Sequence, residues 1–143
     1  FARLQFGRPV GIPDVDLRLE QQLAHMLCAA ISSQLLCAAY AVTRGGLLPA
    51  LARMCLRSRC GIDADLPETE SLPWLLFGEH PAQVLVSTWD DDSAQRLWML
   101  AEEQSIPIHK LGVAQGSVLR IADVATVHLT ELQAAQKKRA VIV

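Results

Sequence analysis

The sequence predicts an α+β domain: a mixed sheet of about four to six strands with helices packed on its faces. Three observations carry this. Helical and extended patterns alternate along most of the chain. The extended runs are short and end at Gly, Pro or acidic residues. A glycine turn at Gly116 between two extended runs reads as a hairpin, which a purely parallel sheet would not contain. The 143 residues, 51% of them hydrophobic, suffice for one buried core.

Residues 1–13 contain Gly7, Pro9, Gly11 and Pro13 and read as a linker, with a single domain over 14–143. From Asp14 the apolar residues Leu19, Leu23, Met26, Leu27, Ala30 and Ile31 recur at helical spacing, with Asp14 or Asp16 as N-cap and an end near Ser32-Ser33. Residues 35–42 read as a buried strand. A helix then starts at Gly45-Gly46 and runs to about Arg59, with Pro49 in the first turn, where its missing N–H is harmless. Cys60–Leu66 alternates apolar and acidic residues like a half-exposed strand, stopped by Pro67. Leu72–Phe77 forms a turn or two of helix, closed by Gly78. Gln83–Thr88 is a strand. Asp90-Asp91-Asp92-Ser93 caps a helix that turns Leu97, Trp98, Leu100 and Ala101 inward, its acids suiting the helix dipole. Strands follow at Ile108–Val113, Val118–Ile121 and Val124–Leu129, and a last helix opens at Thr130.

Composition excludes several functions. A net charge of −2, with no basic face, gives nucleic acid no electrostatic footing. The cluster Lys137-Lys138-Arg139 sits in a final helical turn, where cations suit the dipole. No apolar run approaches the ~20 residues of a membrane span. Cys28, Cys37, Cys55 and Cys60 form no C-x-x-C pair, and three lie in apolar patterns as small hydrophobes, as expected of reduced thiols in a cytoplasmic protein. Their spacing, even with His25 or His80, does not suit zinc. Trp74, Trp89 and Trp98 read as core or interface anchors. The start at Phe1, with no initiator Met or signal peptide, suggests a fragment or processed piece of a longer polypeptide.

The segment with most chemical content is the strand-to-helix passage through Thr43-Arg44-Gly45-Gly46. Glycines there permit positive φ, and free N–H groups at a helix start can hold an anion. Two uses are open at this point: an anion-binding turn built on Arg44 and the two glycine amides, or a tight packed corner. Glu79, after Gly78 and ahead of Pro81, is the other residue of interest and reads from its surroundings as a surface carboxylate making a local hydrogen bond. No paired acid and base suited to proton transfer stands out, and there is no phosphate-cradling glycine motif, so no catalytic residue and no metal ligand is assigned.

Several segments in one order resemble the C-terminal domain of the aminoimidazole ribonucleotide synthetase (AIR synthase)-related proteins. Among these, the likeness is to the second such domain of the formylglycinamidine ribonucleotide synthases. Tyr40-Ala41-Val42-Thr43-Arg44-Gly45-Gly46-Leu47 stands against the family's His-Asp-Val-Ser-Asp-Gly-Gly-Leu. Ala50-Leu51-Ala52-Arg53-Met54 stands against Ala-Leu-Ala-Glu-Met, followed by Cys60–Asp65, Leu76-Phe77-Gly78-Glu79 and Ile108–Gly112. The resemblance spans roughly residues 8 to 136.

The resemblance implies a parent ligase of purine biosynthesis that uses ATP and Mg²⁺ to activate an amide oxygen, which ammonia then displaces as phosphate. It also implies partners: the other domains of that synthetase, a glutaminase domain or subunit, and a second copy in a homodimer. Within this fragment it implies a substrate-touching role for Glu79, the match to the family's Glu-containing turn, but no cofactor, because the motif's acids are replaced by Ala41 and Arg44, and alanine offers Mg²⁺ no oxygen. A degenerate module serving packing, oligomerisation or regulation is the other expectation that these replacements raise.

Overall fold

A computed structural model describes residues 14–67 and 71–138; the linker expected over 1–13 and Arg139 of the basic cluster lie outside them. The elements run α1 (Leu17–Ser32), β1 (Leu36–Ala41), α2 (Leu47–Ser58), β2 (Ile62–Ala64), α3 (Leu72–Phe77), β3 (Val84–Thr88), α4 (Asp91–Glu103), β4 (Gly112–Ala114), β5 (Val118–Ile121), β6 (Ala125–His128) and α5 (Leu129–Lys138). The expected α+β class holds, and its strands form two sheets, one of two strands and one mixed sheet of four. They belong to two compact units, one holding the described residues from 14 to 50 together with Leu72–Ile108, the other the described residues of 51–71 and of 109–138.

In the first unit, α1 starts at Asp16, whose Oδ1 accepts from the N–H groups of Arg18 (2.9 Å) and Leu19 (3.2 Å). This satisfies donors that a helix leaves orphaned. Its buried stripe is Leu23, Met26 and Ala30. α4 is capped in the same way by Asp90, whose Oδ1 accepts from Ser93 N–H at 2.8 Å. Ala30 and Ala101 are fully buried, and such small side chains let helix backbones approach their neighbours closely. Leu23, Met26, Ala101 and Ile106 form one core cluster, and Ala30, Leu35 and Leu97 another; Leu100 and Ile108 pack on both. Val84 and Val86 turn the β3 face into these clusters. β1 pairs antiparallel with β3, Tyr40 opposite Leu85 and Ala41 opposite Val84.

Several side chains depart from expectation here. β1 is not buried throughout: its residues alternate between half-buried and exposed, so only one face is covered. Cys37 lies on the open face, and Cys28 on the exposed side of α1; of the four cysteines only Cys55 is buried, with Cys60 half-buried. Trp98 is 45% exposed rather than inward. Leu97 and Ala101, four apart, set the α4 stripe, and the residue after Leu97 is rotated about 100° off it. Trp74 and Trp89 are exposed too, so none of the tryptophans is a core residue.

In the second unit the strand order is β4-β2-β5-β6. β2 runs antiparallel to β4 and parallel to β5, and β5 is antiparallel to β6. The sheet is mixed as expected, but the Gly116 turn is not a hairpin, because β2 lies between the two strands that it joins. Gly61 fastens this arrangement, donating to Gly116 O (2.8 Å) and accepting from Gln115 N–H (3.0 Å). The true hairpin joins β5 to β6 through Ala122–Val124, with Asp123 at φ +56°. The strand expected from Ile108 begins only at Gly112, since Ile108 packs in the first unit's core. Ala64, Leu119 and Ile121 are the sheet's buried residues.

Candidate functional site

β1 ends at Ala41, and Val42 N–H still bonds to Gln83 O at 2.9 Å. The chain then turns at once. Gly46 N–H donates to Thr43 O (3.0 Å), closing a four-residue turn, and Gly46 O accepts from Ala50 N–H (3.3 Å), opening α2. Gly45 and Gly46 sit at φ +94° and +82°, where an L side chain is strained. The glycine pair therefore lies at the strand-to-helix corner, as the sequence predicts.

Gly46 has a second reason to be glycine. A Cβ there would stand 2.7 Å from the Phe77 carbonyl carbon and 2.8 Å from Gly78 O, so the corner rests on the backbone leaving α3. That segment is itself tightly wound. Gly78 N–H donates to Trp74 O (2.8 Å), and a Cβ on Gly78 would meet Trp74 O and His80 Nε2 at 2.3 and 2.5 Å. The Trp74 and His80 rings meet edge to face, centroids 5.7 Å apart. This winding aims Glu79 back at the corner, where its Oε1 accepts from Gly45 N–H at 2.9 Å.

The structure thus joins the candidates directly, Thr43 to Gly46 and Gly45 to Glu79, across a sequence separation of 34 in the second case. Arg44 is exposed between them and engaged within the chain. The two amides on which an external anion would rest are already committed, one of them to a carboxylate of the same chain. At this turn the Gly45 N–H is taken by the Glu79 carboxyl group.

The donor set does not fit magnesium. Ala41 offers no ligand, Arg44 brings positive charge, and Glu79 has one oxygen engaged by an N–H. Among the described residues no cluster of three or more His, Cys, Asp or Glu could hold a metal ion. Tyr40, at the motif's histidine position, is half-buried on β1 opposite Leu85. His25 is exposed on α1.

Sequence analysis named no candidate functional side chain on the second unit's sheet, which carries a charged notch of about 350 Å³ lined by Asp63, Asp65, Lys110, Leu111, Gly112 and Arg120 among others. Asp63 and Arg120 face each other from the paired strands β2 and β5 and form an ion pair. The pairing holds the guanidinium's pKa above its ordinary value, through the hydrogen bond and then the charge of Asp63. Only the β2–β5 register makes these residues neighbours, and no spacing in the sequence announces it. Among the described residues no helix is long and apolar enough to cross a membrane.

Residues 3–123 match the family of AIR synthase related proteins, in its C-terminal domain. The chain is 33% identical over 130 residues to the phosphoribosylformylglycinamidine synthase subunit PurL of Beijerinckia indica, covering 90% of this chain and 18% of that protein. It is 38% identical over 118 residues to the PurL subunit of Parasynechococcus marenigrum, covering 80% and 15%. Its fold is similar to that of Thermotoga maritima PurL complexed with ATP, with a TM-score of 0.73 at 20% identity over 85% of this chain and 23% of that one. The chain thus spans less than a fifth of the length of these curated relatives. With the family matched over most of its length, the chain belongs to the AIR synthase related proteins, as their C-terminal domain.

Proposed function

We propose that this chain is the C-terminal portion of a PurL-type synthase, its second AIR synthase-type C-terminal domain, and that it contributes packing rather than chemistry to that enzyme. The parent reaction is conversion of formylglycinamide ribonucleotide, ATP and ammonia to the amidine. ATP supplies the activation of the amide oxygen, and both ATP and Mg²⁺ belong to other domains of the parent. The observation that carries this reading is the Gly45–Glu79 clasp. It occupies the strand-end corner with an internal carboxylate, at a place where Ala41 and Arg44 have removed the acids. Thr43, Arg44, Gly45, Gly46 and Glu79 are, in this reading, a structural joint.

The partners that follow are the remaining domains of the synthase, a glutaminase domain or subunit as ammonia source, and a second copy of the parent in a homodimer, all cytoplasmic. The test is complementation in trans. A PurL-type synthase shortened by the matching segment, about 18% of its length, is mixed with this chain. Association and recovery of amidine formation are expected. Lack of association rejects the proposal. Calorimetry of this chain alone with ATP and Mg²⁺ should show no binding, and tight binding would reject the packing role.

The replacements at Ala41 and Arg44 also favour a second reading, a degenerate module for packing, oligomerisation or regulation outside any active synthase. Association without recovered turnover would select it.

A further inference from the structure

The C-terminal end of α2 carries two cysteines five residues apart, Cys55 and Cys60. Cys55 lies in the last turn and is buried, and Cys60 follows five residues later, half-buried. Cys60 N–H donates to Cys55 O at 3.3 Å, and Arg59 between them takes φ +55°. A six-to-one bond with a left-handed residue just before its donor is a helix ending that often sets its first and last side chains in contact. That hydrogen bond, with the covalent dimensions on either side, keeps the two α-carbons within roughly 7 Å. The limit overlaps the ~4.4–6.8 Å over which disulfides form. Ser58 Oγ pins the turn, 3.0 Å from Met54 O, 3.3 Å from Cys55 O and 3.3 Å from Cys60 N. Electrostatics agree with proximity: burial and then the neighbouring Cys60 thiol push the Cys55 thiol above its ordinary value.

We propose that Cys55 and Cys60 form a reversible thiol–disulfide pair, closed by a small-molecule disulfide and reopened by a dithiol reductant. The half-exposed Cys60 thiolate attacks one sulfur of the oxidant, forming a mixed disulfide and releasing one thiolate. Cys55 then loses its proton and attacks the Cys60 sulfur, expelling the second thiolate. The cysteines together give up two electrons and two protons, and the oxidant's disulfide becomes two thiols.

The test uses the full chain with Cys28→Ser and Cys37→Ser, both exposed positions, treated with oxidised glutathione and digested with trypsin. Arg57 and Arg59 lie between the two cysteines, so a closed pair joins two tryptic peptides. The expected result is this cross-link, with both thiols lost together and both recovered with dithiothreitol. A glutathione adduct that persists on Cys60 without a cross-link overturns the proposal, as does no reaction at either thiol. The same digest of the unaltered chain guards against misfolding of the double variant. There the cross-link should recur and vanish with Cys60→Ser, whereas pairing of Cys55 with Cys28 or Cys37 instead would overturn the proposal.

Discussion

Gly46→Ala and Gly45→Ala separate the two reasons for glycine at the corner. Both positions have positive φ, so either alanine incurs left-handed strain of about 1–2 kcal/mol. Part of this is offset by ~0.4–1 kcal/mol, because alanine also restricts the unfolded chain. At Gly45 little more is added: the new Cβ meets Pro49 Cγ at 3.1 Å, the tip of a ring that can yield by tenths of an ångström. At Gly46 the Cβ meets three atoms of Phe77 and Gly78, all backbone, at 2.7–2.8 Å. Backbone held on both sides cannot step aside, and overpacking of this kind adds ~1–3 kcal/mol. Gly45→Ala should therefore cost about 1 kcal/mol and Gly46→Ala about 2–4 kcal/mol. Urea melts followed by tryptophan fluorescence are suited to the comparison, since Trp74, Trp89 and Trp98 all belong to the unit that holds the turn. With equal m-values, the midpoints give the difference directly. Equal losses, or a larger loss for Gly45→Ala, would refute the close approach of the corner to the α3 exit.

The same melts should show Glu79→Ala costing ~0.5–1 kcal/mol, the range of an exposed hydrogen bond, and Glu79→Gln less, because the amide oxygen still accepts from Gly45. A Glu79→Gln loss as large as that of Glu79→Ala would make charge, not acceptance, the source. Asp90 is held below its ordinary 3.8 by hydrogen bonds from the Ser93 side chain and N–H. Its contribution is therefore complete above its unfolded value and is lost as pH falls through the lower folded one. Asp90→Ala should flatten that acid limb in thermal melts, and an unchanged limb would count against the cap. Ala101→Leu should cost ~1–3 kcal/mol, since Ala101 has no exposed surface; a neutral result would mean that the core around it has slack. Leu51→Ala, at 2% exposure, should lose ~2–5 kcal/mol by backbone hydrogen exchange of α2.

What the sequence made legible was local. Asp16 and Asp90 cap helices because a short acceptor before an amphipathic run has one structural use. Gly45-Gly46 marked its corner because successive glycines between a strand and a helix leave few alternatives. Register, in contrast, was hidden. Nothing near Gly116 reveals that β2, some fifty residues earlier, inserts between the strands on either side of it. The alternation of β1 was masked by composition. Leu36, Cys37, Ala38, Ala39, Tyr40 and Ala41 are all uncharged, so its open face carries no polar signal. The site followed the same division. Each of its members could be named from sequence, but the bond from Gly45 to Glu79 depends on how α3 ends.

In the proposed reading, that bond offers the residues Ala41 and Arg44 a common physical reason. The family pattern that this segment resembles carries an acid at each position, and the residue at 44 adjoins the glycine whose N–H Glu79 accepts. Carboxylates gathered at one corner repel, by about 1 kcal/mol per pair at 4 Å even in water, and need a cation to hold them together. In the proposed reading, Ala41 and Arg44 in place of those acids lessen that need. The side chains of Ala41 and Arg44 offer Mg²⁺ no oxygen, and Glu79 is the carboxylate at the Gly45 amide. A corner tied from its own backbone to its own carboxylate needs no ligand for that contact, which is what the proposed packing joint requires.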